Sequence, residues 1–175
     1  EYRITSPLVG KPHVYNMLTA TAAGLELGYD IDDMIRGLST CVGAPGRFER
    51  VPHGGDFAVV VDYAHTDDAL LNTLKTAREL TEGKIITVFG CGGDRDRSKR
   101  EPMGIAAGEN SDLVIVTSDN PRTEDPMDIA RPVVTELERL GLPSLSPTDV
   151  RTKDRGYVLL LDREQAIGAA IAGAR

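Results

Sequence analysis

Residues 113–126 read LVIVTSDNPRTEDP, a run of four apolar residues followed by a loop dense in polar and charged side chains. A plain connection between a strand and a helix needs only one or two turn residues. Asp125 and Pro126 have a structural interpretation, as the N-cap and the first residue of a helix. The stretch therefore predicts a buried strand, a helix, and between them a loop with more polar groups than a turn requires.

The same order of apolar run and helix recurs along the chain. The other apolar runs are 57–61, 84–89 and 157–161, and the predicted helices are 67–81, 99–109, 126–140 and a segment after residue 162. Asp162 and Gln165 have the spacing of a capping box, whereas Pro132 leaves the start of the third of these helices open. Strands that are apolar throughout, each followed by a helix, indicate an α/β fold with a parallel sheet covered on both faces.

The N-terminal part has a different pattern. Residues 11–39 predict two helices, the first ended by Gly28 and the second capped by Asp30. The segment 41–46, CVGAPG, breaks both patterns and is the candidate domain boundary. The chain begins at Glu1 rather than at a methionine, so we expect it to be a piece of a longer protein.

Composition excludes several classes of protein. Of the 175 residues 41% are apolar, which is enough for a core and argues against disorder. The net charge of -7 argues against a nonspecific nucleic-acid binder. The sequence shows no signal peptide and no apolar run long enough to span a bilayer. The two cysteines lack metal-ligand spacing, and we expect reduced thiols and a cytoplasmic protein.

Three polar loops follow the predicted strands. They are DYAH at 62–65, GCGGDRD at 90–96 and the loop at 117–125. Ligands of parallel α/β sheets bind outside the carboxyl ends of the strands, so we expect all three loops on one edge.

Each loop has a functional and a structural interpretation. Asp62 and His65 could hold a nucleotide, or Asp62 could cap the next turn while His65 lies on the surface. The glycines at 90–96 with the following arginines favour anion binding over a flexible turn, although Asp94 and Asp96 temper the charge. A D-x-D pair is weak support for a metal.

In the loop at 117–125, Arg122 can grip a carboxylate bidentately and Asn120 offers a donor and an acceptor. Asn120 and Pro121 also suit an ordinary turn, but a turn does not explain Arg122. His13 and His53 have no partners at ligand spacing, and no Ser-His-Asp or Cys-His pairing can be inferred.

Five motifs in order resemble the Mur ligase family, closest to its diaminopimelate-adding members. They are LVGKPHVYN from residue 8, GRFERV from 46, VVVDYAH from 59, FGCGGDRDRSKR from 89 and SDNPRTEDP from 118. The match extends to about residue 135, and DNPR after a strand is its most discriminating part. His13 and Asp67 depart from residues common in the family, where asparagine and proline are usual.

The resemblance implies a three-domain enzyme with a Rossmann-like C-terminal domain. Residues 1–43 would be the helical tail of the central ATPase domain, and 44–175 most of the C-terminal domain. The family's reaction uses ATP and Mg²⁺ to phosphorylate the D-glutamate carboxylate of UDP-N-acetylmuramoyl-L-alanyl-D-glutamate. The amine of meso-diaminopimelate then attacks the acyl phosphate, and phosphate leaves.

The resemblance also implies roles for individual residues. The positions that would contact ATP are Asn16, Arg47 and Asp62, with His65 close by. The positions that would contact meso-diaminopimelate are Arg95, Asp119, Asn120, Pro121 and Arg122. No catalytic residue and no metal ligand is assigned within this chain.

Other segments of the family pattern are missing from the sequence, among them the phosphate loop, the Mg²⁺ ligands and a later GKGHE segment. We therefore expect the 175 residues alone to have no ligase activity, and the remaining domains of the same enzyme to be their partners. Two alternatives stay open. One is another amide ligase of the superfamily, of the folylpolyglutamate or cyanophycin synthetase type, and the other is a non-catalytic α/β module that binds a nucleotide or an anion.

Overall fold

The N-terminal part of the chain forms two helices and a two-stranded sheet in the computed structural model, which describes residues 2–174. Helix α1 spans Lys11–Glu26 and α2 spans Ile31–Thr40. Gly28 has a φ of 82° beyond the end of α1, and the Asp30 carboxylate accepts a hydrogen bond from the Asp32 amide at 2.8 Å. Both helices, the glycine stop and the Asp30 cap were predicted from the sequence and are confirmed.

Strands β1 (Glu49–Val51) and β2 (Val59–Val61) pair antiparallel, with Arg50 opposite Val60. The prediction that the run 57–61 joins the parallel sheet is therefore wrong. A strand inside such a sheet is buried on both faces, but Val60 and Val61 are 39% and 47% exposed. The partner β1 was missed because ERV is short and carries no apolar alternation.

The rest of the chain is built on a parallel sheet in the order β3-β4-β5. Its strands are β3 (Ile86–Phe89), β4 (Leu113–Val116) and β5 (Gly156–Leu159), and its helices are α3 (Asp67–Leu80), α4 (Arg100–Asn110), α5 (Pro126–Arg139) and α6 (Arg163–Gly173). Successive residues of β4 face opposite sides, so Val114 and Val116 join one apolar cluster and Leu113 and Ile115 another. The predicted α/β sheet covered on both faces is confirmed.

Helix starts follow the caps read from the sequence. The Asp125 carboxylate accepts from the Met127 amide at 2.7 Å, and α5 begins at Pro126 with Pro132 inside it. Asp162 accepts from the Gln165 amide at 2.9 Å, while Gln165 Nε2 donates back to Asp162 at 3.1 Å. The Asp162 cap is confirmed, but Gln165 returns its hydrogen bond to the Asp162 carboxylate and not to the backbone amide as in a capping box. The open start of α5 is resolved in favour of residue 126.

The chain divides into two units. The first comprises residues up to 53 together with 59–63, and the second comprises 54–58 and the chain from 64 onward. The hairpin of β1 and β2 thus belongs to the same unit as α1 and α2. The assignment of 1–43 and 44–175 to two domains of a longer enzyme stays a prediction.

Two of the connections at the carboxyl edge of the parallel sheet are the β3–α4 loop (90–99) and the β4–α5 loop (117–125). The first ends in a short 3-10 helix, Arg97–Lys99. Within residues 2–174 no helix has both the length and the apolar character that crossing a membrane requires.

Candidate functional site

The backbones of the β3–α4 and β4–α5 loops touch. The Gly93 amide donates to the Asn120 carbonyl at 2.9 Å. A Cβ atom on Gly93 would lie 1.9 Å from the Pro121 carbonyl oxygen, so no residue with a side chain fits there without moving the backbone. The glycine therefore permits the close approach of the two loops. From the sequence, the glycines were assigned to an approach to an anion, and that assignment stays a prediction.

Asp94 ties the same two loops through its side chain. Its carboxylate accepts from the Thr123 amide at 3.1 Å and from the Thr123 hydroxyl at 2.8 Å. Asp96 instead accepts from the Ser98 amide and hydroxyl, which lowers the pKa of Asp96 and caps the 3-10 helix. The carboxylates of both aspartates thus accept hydrogen bonds from neighbouring residues of the protein.

Glu124 lies at the centre of the contact. Arg100 donates to it from Nη2 at 2.8 Å and from Nη1 at 3.2 Å, and Arg97 lies 3.0 Å away. The Asp94 amide adds a fourth contact at 2.7 Å. The hydrogen bonds from Arg100 and from the Asp94 amide keep the pKa of Glu124 below its ordinary value, so the carboxylate is charged at neutral pH.

The guanidinium of Arg122 and the aliphatic stem of Arg95 both lie close to Gly92, which is half-buried. A Cβ atom on Gly92 would lie 3.1 Å from Arg122 Nη1 and 3.8 Å from Arg95 Cγ. Both arginine side chains are exposed. Arg122 has a φ of 52°, a left-handed conformation that is uncommon for a residue other than glycine and that concentrates at functional sites.

The remaining residues of the DNPR motif differ in their surroundings. Asp119 accepts from Arg163 Nη1 at 3.0 Å, and the same nitrogen donates to the Ser118 carbonyl. Asn120 is exposed, with its backbone carbonyl turned to Gly93, and Pro121 is half-buried. Arg163 begins α6, so the third strand of the sheet also supplies a cation to this edge.

Three of the residues assigned to a nucleotide lie in the first unit. Arg47 stands over the ring of Tyr63, 5.1 Å from its centroid. Asp62 accepts from the Phe48 amide at 2.8 Å, so it does not act only as a cap of the following turn. His13 is buried with Nε2 3.2 Å from the Arg47 carbonyl, and Asn16 lies one helical turn further on the same face of α1.

His65 belongs to the second unit and is exposed. Its carbonyl accepts from Lys99 Nζ at 2.8 Å, which links residue 65 to the β3–α4 loop. The prediction that all three loops share one sheet edge is thus wrong for the DYAH loop, because the preceding strand β2 lies in the other sheet. Residue 65 nevertheless contacts the β3–α4 loop.

A metal site is not assembled in the part of the chain that the structure describes, where no three His, Cys, Asp or Glu side chains gather suitably. Cys91 is buried against Met103, and burial raises the pKa of its thiol. Cys41 is exposed.

Sequence reasoning missed Glu124 and Thr123, gave Arg100 no partner, and left Arg163 out. The sequence did contain a signal for the pairing of Glu124 with Arg100. Glu124 follows Arg122 by two residues, Arg100 follows Arg95 by five, and the two opposite charges come from segments that leave one edge of the sheet. Arg163 gave no such signal, because a first-turn arginine has no typical partner.

Comparison with known families matches residues 46–175 to the family described as Mur ligase, glutamate ligase domain. A UDP-N-acetylmuramoyl-L-alanyl-D-glutamate--2,6-diaminopimelate ligase of Solibacter usitatus is 49% identical over 99% of this chain and 33% of its own length. The ligase of the same name from Geobacter sulfurreducens is 47% identical over 94% of this chain and 33% of its own length. The chain thus spans about a third of the length of the curated relatives it matches.

Two solved structures are similar in fold. A UDP-N-acetylmuramoyl-L-alanyl-D-glutamate--2,6-diaminopimelate ligase, 30% identical, aligns with a TM-score of 0.55 over 98% of this chain and 40% of its own. A UDP-N-acetylmuramate-alanine ligase from Thermotoga maritima, 23% identical, aligns with a TM-score of 0.66 over 99% of this chain and 39% of its own, and at that identity it supports the fold alone.

Proposed function

Because the chain belongs to the Mur ligase family, we propose that it is the C-terminal part of an ATP-dependent amide ligase of peptidoglycan precursor synthesis. The enzyme would work in the cytoplasm and join meso-diaminopimelate to UDP-N-acetylmuramoyl-L-alanyl-D-glutamate. Relatives that are 49% and 47% identical carry the name of that ligase. The observation that carries the proposal is that two exposed arginines from different loops, Arg95 through its stem and Arg122 through its guanidinium, both lie beside Gly92.

The two arginines suit the group that distinguishes the substrate. Meso-diaminopimelate differs from lysine by one carboxylate at the far end of its side chain. Guanidinium groups bind carboxylates through short, charge-assisted hydrogen bonds. A site built for that carboxylate would leave its donors unpaired on lysine, and such sites discriminate by ~10⁴ or more. Arg95 and Arg122 would thus select the amino acid.

Asp119 and Asn120 would complete the amino-acid site. Asn120 is exposed and can both donate to a carboxylate and accept from an ammonium group. The Asp119 carboxylate is half exposed and anchored by Arg163, so it can accept from an ammonium group without swinging away. Pro121 restrains the backbone between the polar residues and Arg122.

ATP fits the residues of the first unit by their chemistry. The exposed ring of Tyr63 offers a face for a base, Asp62 offers a carboxylate for a hydroxyl or amine, and Arg47 offers positive charge. Asn16 adds an amide, and His65 would lie close to the nucleotide. ATP would supply the phosphoryl group that activates the acceptor carboxylate, with Mg²⁺ held by residues outside this chain.

We expect the isolated 175 residues to lack ligase activity. The sequence contains no G-x-x-x-x-G-K-[ST] phosphate loop, and the acceptor nucleotide would be held by the other domains of the same enzyme. The role of this chain is to bind and orient the incoming amine.

The test is a hybrid ligase, in which the segment of the Geobacter sulfurreducens enzyme that aligns with this chain is replaced by this chain. We expect ATP-dependent ligation with a strong preference for meso-diaminopimelate over L-lysine. Arg122→Ala should remove that preference, and Arg131→Ala, which deletes another exposed arginine, should not. A folded hybrid that treats both amino acids alike would contradict the proposal.

A further inference from the structure

We propose that the ion pair of Arg100 and Glu124 positions the two substrate-binding arginines and thereby sets the preference for a diamino diacid. This inference rests on the proposed function. Neither residue needs to touch the substrate, since both act on the backbone that carries Arg95 and Arg122.

The pair is buried and bidentate. The Arg100 side chain is 4% exposed and that of Glu124 10%, and the two N–O distances are 2.8 and 3.2 Å. A guanidinium fork on a carboxylate fixes direction as well as distance. Arg100 is the first residue of α4, so the ion pair anchors the Glu124 carboxylate to a helix and not to another loop.

The pair lies where the backbone is strained. Arg122 has a φ of 52° and Asp94 a φ of 50°. Glu124 follows Arg122 by two residues and accepts from the amide of Asp94, while Asp94 accepts from Thr123. Such backbone conformations are strained and persist where the surroundings hold them. Glu124 therefore links the two strained positions through one carboxylate.

A stabilising role alone does not account for the pair. Buried ion pairs lose much of their attraction to desolvation, and apolar residues often serve stability as well. Among the described residues, Arg100 Nε is also buried without a hydrogen-bond partner, an arrangement that disfavours the folded state. The pair supplies geometry instead, because it connects helix α4 to the loop that carries Arg122.

Small movements of this loop are sufficient to affect function. Misplacement of a substrate-positioning group by about 1 Å can cost about 100-fold in kcat/KM. Loss of the pair frees the β4–α5 loop to shift relative to the β3–α4 loop, and so separates Arg122 from Arg95. The expected result is weaker recognition of the second carboxylate with little effect on an amino acid that lacks it.

The test compares Glu124→Gln and Arg100→Lys with a matched control, Glu136→Gln. Glu136 is also a buried glutamate paired to an arginine, Arg139 at 2.8 Å, but it lies on α5 away from the two loops. Glu124→Gln keeps an acceptor without the charge, and Arg100→Lys keeps the charge without the fork. Amide exchange is measured in the chain, and kinetics in the hybrid ligase.

We expect the Asp94 and Thr123 amides to exchange at least about tenfold faster in both variants, as the local structure opens more often. The KM for meso-diaminopimelate should rise about 10- to 100-fold with kcat little changed, because ground-state binding is lost. The preference over L-lysine should narrow by the same factor, and Glu136→Gln should alter none of these values.

Retention of the wild-type preference by both variants, with or without faster exchange, would overturn this inference alone. A fall in preference in Glu136→Gln as large as in Glu124→Gln would overturn it as well, since the effect would then follow from stability. A wild-type hybrid without any preference would instead overturn the proposed function, and this inference with it.

Discussion

Arg122 donates a hydrogen bond from Nη1 to the carbonyl oxygen of Gly93, 2.5 Å away, and so joins the β4–α5 loop to the β3–α4 loop. The side chain that we propose to bind the substrate is therefore also part of the contact between the loops. Its hydrogen bonds to residues within the described chain all use Nη1, with Asn120 as the second acceptor at 3.4 Å. The guanidinium is oriented before any ligand arrives.

The Arg122→Gly variant of the chain should be more stable to unfolding than the Arg122→Ala variant. A φ of 52° disfavours any residue with a Cβ atom, and glycine relieves about 1 kcal/mol that alanine retains. Both variants lose the guanidinium, so both should lose the preference for meso-diaminopimelate. Urea unfolding of the chain measures the difference, and equal stability of the two variants would show that the backbone there is not strained.

Gly93→Ala should destabilise the chain and disturb the site. The new Cβ atom would meet the Pro121 carbonyl at 1.9 Å, and overpacking of this kind costs about 1–3 kcal/mol. Gly168→Ala is the control, because a Cβ atom there meets nothing within 4 Å. Inside α6 that change should stabilise by about 0.5–1 kcal/mol. Thermal unfolding of both variants measures these changes in stability. A Gly93→Ala variant as stable as the wild type would contradict the close approach of the loops.

Tyr63→Leu should weaken nucleotide binding. The loss of a ring that stacks on a base costs about 1–3 kcal/mol, or roughly 5- to 150-fold in affinity. Tyr29→Leu is a matched control, since both tyrosines are 63% exposed but only Tyr63 carries Arg47 above its ring. The KM for ATP of the hybrid ligase is the measurement, and equal effects of the two substitutions would remove Tyr63 from the nucleotide site.

Asp112 should contribute to stability in a pH-dependent way. Partial burial alone would raise the pKa of Asp112, but hydrogen bonds from the Ile85 amide and from Arg78 outweigh it and lower the pKa below the ordinary 3.8. A lowered carboxyl pKa stabilises the folded state above the unfolded pKa, and this stability is lost as the pH falls through the folded value.

The Asp112→Asn variant tests that sign. At neutral pH the wild type should be the more stable protein, and the difference between the two should shrink as the pH drops below about 4. Urea unfolding at several pH values measures it. A difference that stays constant over this range would mean that the carboxylate charge is not what stabilises this contact.

Much of the fold could be predicted because local signals and burial agree. The run at 113–116 is apolar throughout and forms the fully buried central strand, and the caps at Asp30, Asp125 and Asp162 all act as such. The run at 57–61 has the same composition but a different environment. Periodicity cannot distinguish a buried strand from one paired with a short, charged neighbour.

The site shows the same limit. Arg122 and Arg95 were selected because a turn does not need them, and their residue types indicate an anion. The pairing of Arg100 with Glu124 and of Arg163 with Asp119 depends on how two loops and a distant helix meet. Opposite charges on two loops of one edge were a signal for the first pair, but spacing along the sequence does not show which residues 24 or 44 positions apart are in contact.

A double-mutant cycle on Arg95 and Arg122 in the hybrid ligase tests the central claim most directly. The kcat/KM for meso-diaminopimelate and for L-lysine is measured in the wild type, in Arg95→Ala, in Arg122→Ala and in the double variant. If the two arginines share one carboxylate, each single replacement should lower kcat/KM for meso-diaminopimelate by at least about 100-fold, and the two effects should be strongly non-additive. The kcat/KM for L-lysine should change little. Additive losses that are equal for the two amino acids would contradict a shared role in recognising the second carboxylate.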